Sequence, residues 1–327
     1  KHSNLLSELN EMTPMVLDRS QRRLGAVALL SVFLMLINAL LPNYVSHDSY
    51  LPNSYIRRLN DQAEQGTTRP MMYTFVENYD YVQESKLYAW REAWRAAGWE
   101  TKVLTLKDAK RHPHFEERDL ALRAGNMRLG DAQILSFHRY MAISQAGGGW
   151  MSDWDILPLN PLKNGGHQIS MPNEGRFTVY EIMGGGKGVV PSILSGTAKE
   201  YNRMAQLLFE SAMEYGVKAR SWSDLNALCD MYKKDPESFE VEDGVIPGRS
   251  VLTENSAHLV MDGQHWGKDD CLITNGKLAV HFTPVVLHGN LLREGDTRAL
   301  ASSIPLTWFD QWAGKCTDIV HFEDLDQ

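Results

Sequence analysis

Between Leu24 and Leu41 the chain runs LGAVALLSVFLMLINALL, eighteen residues without a charge, and this run divides everything on either side of it. At about 1.5 Å of rise per residue, that is close to the shortest helix that crosses a hydrocarbon core. Ser31 and Asn38 are its only clearly polar interruptions, so it lacks the polar stripe of a helix packed on a soluble core. A cleaved signal peptide has a shorter apolar core and small residues before the cut, which Ala39-Leu40-Leu41 does not supply. A buried core helix stays open as the other reading. The expectation is a single-pass anchor that touches membrane lipid through one helix. Arg19, Arg22 and Arg23 precede the run, and only His47 and Asp48 closely follow it. The positive-inside rule then puts residues 1–23 on the cytosolic side and the C-terminal part in the lumen. Residues 42–68, with Pro42-Asn43, Pro52-Asn53 and Gly66, read as a stem, and 69–327 as one folded domain. The endoplasmic reticulum or Golgi is the expected address. Arg22-Arg23 before an apolar run also fits a twin-arginine signal, and no Asn-x-Ser/Thr sequon occurs. A thylakoid or mitochondrial membrane is therefore the alternative.

Composition narrows the function of the folded part. Of 327 residues, 43% are hydrophobic and 23% charged, enough apolar content for a core and too much for disorder. The 33 Lys and Arg stand against 41 Asp and Glu, a net charge of −8, which argues against a nucleic-acid partner. Cys229, Cys271 and Cys316 are odd in number and widely spaced. That excludes a zinc ribbon, a CxxC redox site and a disulfide scaffold, and leaves a single bridge open. Neither HExxH nor GxSxG occurs, and Gly184 to Gly188 lacks the flanking residues of a phosphate-binding P-loop.

The order of elements predicts an α/β domain. Residues 71–76 (MMYTFV) suit a buried strand, and 83–97 a helix with Leu87, Trp90, Trp94 and Ala97 at spacings of three and four before Gly98. Residues 101–106 suit a second strand, which completes a βαβ unit and implies a parallel sheet. Further helices are expected over 128–146, 198–215 and 223–232, a strand over 150–156, and late strands over 277–281 and 284–287.

The most informative run is Gly147-Gly148-Gly149-Trp150-Met151-Ser152-Asp153-Trp154-Asp155. On an extended strand, Asp153 and Asp155 leave the same face. Two adjacent carboxylates repel unless a cation joins them, and Mg²⁺ or Mn²⁺ accepts such oxygens while keeping positions for phosphate. The competing reading is a solvated strand end. The glycines would let backbone approach a ligand closely, and a strand end at a helix–strand switch is where open α/β sheets bind nucleotides.

Arg139-Tyr140, the paired glycines and Asp153-Trp154-Asp155 together resemble the DXD motif of nucleotide-sugar glycosyltransferases, of the family 32 and capsular-polysaccharide-transferase type. The resemblance extends over roughly Met71 to His288 and is specific only from Arg139 to Pro158. It implies a GT-A-like fold, a Rossmann-like mixed sheet flanked by helices and preceded here by one transmembrane helix. It also implies a UDP- or GDP-sugar donor, Mn²⁺ or Mg²⁺, and a glycan or other acceptor. Asp153 would face the donor's ribose and sugar and share the metal, Asp155 would ligate it, and Arg139 would orient the acidic residues or the donor. Tyr73, Thr74 and Phe75 would line the base pocket, with plain strand core as the alternative. A late-strand His often completes the metal site, and both His281 and His288 fit. Asp224 matches a segment whose carboxylate reaches the acceptor side and is the candidate catalytic residue; a helix-starting carboxylate is the alternative. Trp154 fills a middle position where smaller residues are common, which would reshape the sugar pocket. Trp90 and Trp94 are expected in the core. Trp150, Trp154, Trp266, Trp308 and Trp312 are candidates to stack on sugar rings, with core packing as the default. The rival function is a GT-A-like accessory subunit of a membrane complex without turnover.

Overall fold

The computed structural model describes residues 69–77, 81–124, 126–159, 171–219, 221–251, 271–283 and 298–316. The 24–41 run, the 42–68 stem, the strand expected over 284–287, Trp266 and His288 lie outside them. Among the described residues, no helix is long and apolar enough to cross a membrane.

Strand β1 (Met71–Phe75), helix α1 (Tyr81–Ala96) and β2 (Glu100–Leu104) form the expected unit. The two strands pair in parallel from Met71 opposite Glu100 to Phe75 opposite Leu104. Two short helices follow, α2 (Leu106–Ala109) and α3 (Phe115–Leu122), and then the long α4 (Asp131–Ala146). Strand β3 (Gly148–Ser152) lies parallel to β1. Beyond it come β4 (Ile156–Pro158), the hairpin of β5 (Thr178–Ile182) and β6 (Val189–Thr197), then α5 (Ala198–Tyr215) and α6 (Asp224–Lys234). Strands β7 (Glu240–Val241), β8 (Val245–Pro247) and β9 (Ala279–His281) and helix α7 (Arg298–Lys315) complete the order. The six-stranded sheet reads β2-β1-β3-β6-β5-β7 and is mixed, because β6 runs antiparallel to both β3 and β5. A separate three-stranded sheet reads β4-β9-β8.

Alternation along the central strands sends side chains to two cores. Tyr73, Met151 and Leu194 join Ile143, Met204, Leu208 and Leu228 from α4, α5 and α6 on one face. Met72, Trp150 and Ile193 join Trp90 and Trp94 of α1, with Val245 and Ala279 of the small sheet, on the other. The i, i+4 tryptophans of α1 are therefore core, as their spacing implies. Trp150, 4% exposed, stacks on Tyr180 at 5.0 Å, and Trp308 and Trp312 are fully buried. Core packing, the default, therefore holds for these three, and their faces are closed to sugar.

One local expectation is corrected. The single strand expected over 150–156 is two strands in different sheets, with Asp153 to Asp155 linking them. Gly148 serves chain packing. Gly147 ends α4 at φ 106°, and a Cβ on Gly148 would lie 2.3 Å from the backbone nitrogen of Ala198. The crowding at Gly148 comes from the β6–α5 junction.

Cys271 and Cys316 form a disulfide, which ties the segment ahead of β9 to the end of α7, and Trp312 Nε1 donates to Thr274 Oγ1 at 3.0 Å across the same contact. Cross-linking residues 45 apart removes chain entropy from the unfolded state worth about 3–4 kcal/mol. Cys271→Ser is expected to lose roughly 2–4 kcal/mol of unfolding free energy, read as a lower urea midpoint. Reductant should shift the parent protein by the same amount and leave the variant unmoved.

Candidate metal centre

The centre is built where the two sheets exchange the chain. Strand β3 stops at Ser152 and β4 starts at Ile156, so Asp153-Trp154-Asp155 forms the link. Its start is tied to the large sheet, since Asp153 N donates to Ser192 O at 2.8 Å. Its end is tied to the small sheet, since Phe282 N donates to Asp155 O at 3.0 Å. Helix α1 pins both flanks: Trp90 Nε1 donates to Ser152 Oγ at 2.8 Å and Trp94 Nε1 to Ile156 O at 3.2 Å. Register then places His281, at the end of β9, opposite Ile156.

These constraints bring Asp153, Asp155 and His281 together, with one ligand atom from each within 4.8 Å of the others. His281 Nε2 lies 3.6 Å from Asp155 Oδ1. Ligands of one small divalent ion, bound at about 2.1 Å, stand at most about 4.2 Å apart, so the group fits an ion after closing by about half an ångström. Two carboxylate oxygens and an imidazole nitrogen suit Mn²⁺ and tolerate Mg²⁺. The shared strand face inferred from the sequence is not what joins the two aspartates; the turn between sheets does so.

Arg139 of α4 braces the acidic link from below. Arg139 is 8% exposed, and its guanidinium donates through Nη1 to Asp153 Oδ1 at 2.7 Å. Nη2 donates to Pro191 O at 3.0 Å and to Asp224 Oδ2. The carbonyl is free because the β5–β6 register shifts past Val179, leaving Pro191 to Ile193 opposite Tyr180 alone. Proline lacks an N–H and belongs at such an irregularity. Burial works against the Arg139 charge, and Asp224, Tyr140 and Asp153 outweigh it, so the arginine holds its proton more firmly than usual. Asp224, 4% exposed, also accepts from Tyr140 OH at 3.1 Å and from Leu225 N at 2.8 Å.

Metal-free, the centre holds extra protons. Withdrawal from water pushes Asp153 up, Asp155 adds to it, and Arg139 opposes, leaving its pKa at about 7. Burial disfavours a charged His281, but hydrogen bonds and charge from Asp155 and Glu181 outweigh it and raise the imidazole well above its ordinary value. Glu181, buried on β5, receives a hydrogen bond from His281 Nδ1 at 2.6 Å.

A cleft of about 220 Å³ opens beside the centre. Its walls are Phe75, Val76 and Glu77 at the end of β1, Ala132, Leu135, Ser136 and Arg139 along one face of α4, and Trp154. Lys86 Nζ lies 5.1 Å from the centroid of the Trp154 ring. Of the residues singled out from the sequence, Phe75, Arg139 and Trp154 line this cleft, and Asp153, Asp155 and His281 form the centre. Tyr73 and Thr74 are buried within β1, and Asp224 lies against Arg139 rather than among the lining residues. His288 lies outside the described residues. Glu181 and the Pro191 carbonyl were not singled out; the one available signal was an acidic residue inside the apolar run FTVYEI.

A family model described as "Domain of unknown function (DUF8765)" matches residues 65–219. No curated protein matches the chain. Among solved structures, the apo form of the glycosyltransferase GlyE of Streptococcus pneumoniae TIGR4 is similar at TM-score 0.41 and 12% identity, over 75% of this chain and 62% of that one. A second structure of GlyE from the same organism is similar at TM-score 0.40 and 11% identity, over 80% and 66%. The chain thus spans less than two thirds of the length of these structures.

A cation entering this centre displaces the protons of Asp153 and His281. Mn²⁺ affinity is therefore expected to fall as pH falls, with the dependence steepening as pH drops through about 7, where Asp153 takes up its proton. Calorimetry in buffers of different ionisation enthalpy counts the released protons; an affinity flat from pH 6 to 8 would exclude this competition.

Proposed function

We propose that the chain is a metal-dependent glycosyltransferase with a GT-A-like fold, which moves a sugar from a UDP- or GDP-sugar to a glycan or other acceptor. The observation that carries this reading is the meeting of Asp153, Asp155 and His281 beside a cleft at the C-terminal ends of the parallel strands β1 and β3. That is where open α/β sheets receive nucleotides. Asp153, Asp155 and His281 would hold Mn²⁺ or Mg²⁺, which when bound supplies Lewis-acid charge to a departing diphosphate. Arg139 keeps Asp153 Oδ1 oriented, so that the same carboxylate can meet both the metal and the donor. Phe75 and Trp154 offer flat apolar faces to the base, ribose or sugar. Asp224, the candidate acceptor-side carboxylate, is taken up by Arg139 and Tyr140 and would act through Arg139. If the chain follows family 32, the configuration of the transferred sugar is retained.

The reading extends to location. The 24–41 run would anchor the chain with its folded domain in the lumen, and the Cys271–Cys316 bridge supports an oxidising compartment such as the endoplasmic reticulum or Golgi. Deleting 24–41 is expected to move the chain from the carbonate-resistant membrane pellet to the supernatant.

The deciding experiment titrates UDP and GDP into the full chain in detergent, with and without Mn²⁺, beside Asp155→Ala. Binding near the micromolar range that needs the metal, and weakens at least about a hundredfold in the variant, is the expected outcome. Failure of both nucleotides to bind the folded chain would replace the transferase with the accessory-subunit reading.

A further inference from the structure

The transferase reading accounts for the three groups that would touch a cation, and leaves Glu181 without a task. A carboxylate buried in the middle of a sheet is costly unless hydrogen-bonded and paired. Glu181 is 4% exposed, and among the described residues its hydrogen-bond partner is His281, at 2.6 Å through Nδ1. The two residues stand on different sheets, β5 in the large one and β9 in the small one.

The geometry assigns Glu181 as the positioning residue of the metal centre, resting on the reading of Asp153, Asp155 and His281 as that centre. An ionised carboxylate only accepts hydrogen bonds, so the ring must present its Nδ1 hydrogen to Glu181. This leaves Nε2, which lies 3.6 Å from Asp155 Oδ1, as the nitrogen that meets the ion. The contact also fixes the rotation of the ring about its own axis, which β9 alone, three residues long, does not. A carboxylate behind a ligating imidazole further raises the basicity of the ligand nitrogen. The register shift between β5 and β6 lies immediately before Glu181, between Val179 and Glu181. The same irregularity that frees the Pro191 carbonyl for Arg139 thus sets the register at which Glu181 meets His281.

The test uses the full chain in detergent and Mn²⁺ alone, with free Mn²⁺ followed by electron paramagnetic resonance. Glu181→Gln keeps side-chain volume and removes the charge. It is expected to weaken Mn²⁺ binding about ten- to a hundredfold with an unchanged thermal melting profile. In a His281→Ala background the same substitution should change Mn²⁺ affinity by less than about twofold, because its effect runs through the imidazole. Bound Mn²⁺ in the parent protein should show nitrogen modulation in pulsed resonance. Three results each overturn the assignment: no nitrogen coupling in the parent, Glu181→Gln binding Mn²⁺ within about twofold of the parent, or a penalty that persists without His281. The pulsed measurement needs no variant, so a poorly folding substitution does not shield the assignment. Metal binding that depends on Glu181 without any nucleotide binding would sink the transferase and keep this assignment; metal-dependent nucleotide binding indifferent to Glu181 would do the reverse.

Discussion

The Arg139 guanidinium is the contact on which the rest of the architecture turns. It sits almost fully buried between Asp153, Asp224 and the Pro191 carbonyl, and so joins α4, the β3–β4 link, β6 and the start of α6. Asp224 and the Pro191 carbonyl, both buried, would be expensive to bury alone. A short side chain at 139 would leave the buried Asp224 carboxylate without its counter-charge, and a lysine would offer no planar fork to reach two acids and a carbonyl together. The buried charges thus require one relative placement of four elements, and that placement holds Asp153 at the cleft.

The fold was legible where local periodicity carries it. Leu87, Trp90 and Trp94 recur on one face of α1 and pack where that face demands, and the helix over 198–215 runs between the expected ends. The hairpin of β5 and β6 was not legible. Its defining feature is a register irregularity around Pro191, and a proline in an apolar run reads locally as a strand breaker. Nor did the sequence separate His281 from His288, because a late strand ending in histidine describes both. The pairing of Ile156 with His281, between residues distant in the chain, brings that histidine to the aspartates, while His288 lies outside the described residues.

At the site, the aspartates were found for an incomplete reason. The two-residue spacing suggested a common strand face, whereas the side chains converge because the chain changes sheets between them. The outcome is similar because Ser152 and Ile156 are held by the two tryptophans of α1, which fixes the ends of the turn. Of the three glycines, Gly148 alone packs its backbone against the β6–α5 junction. Glu181 escaped notice because its meaning depends on a partner a hundred residues away, and nothing local distinguishes it from an acidic residue at a strand edge.

The centre therefore straddles a structural seam. Asp153 is bonded to the large sheet through Ser192, while Asp155 and His281 are bonded to the small one through Phe282 and Ile156. Three-residue strands such as β4 and β9 contribute few ladder bonds, so the small sheet depends on contacts made outside it. The Cys271–Cys316 bridge is one such contact, and Glu181–His281 is another, reaching directly across from the large sheet. A cation bound by Asp153, Asp155 and His281 would be a further cross-link over the seam that Glu181–His281 spans. Its binding free energy would then add to folding stability, by about 2.7 kcal/mol at a hundredfold excess over the dissociation constant. Metal affinity and the coherence of the two sheets are, on this argument, one property read in two ways.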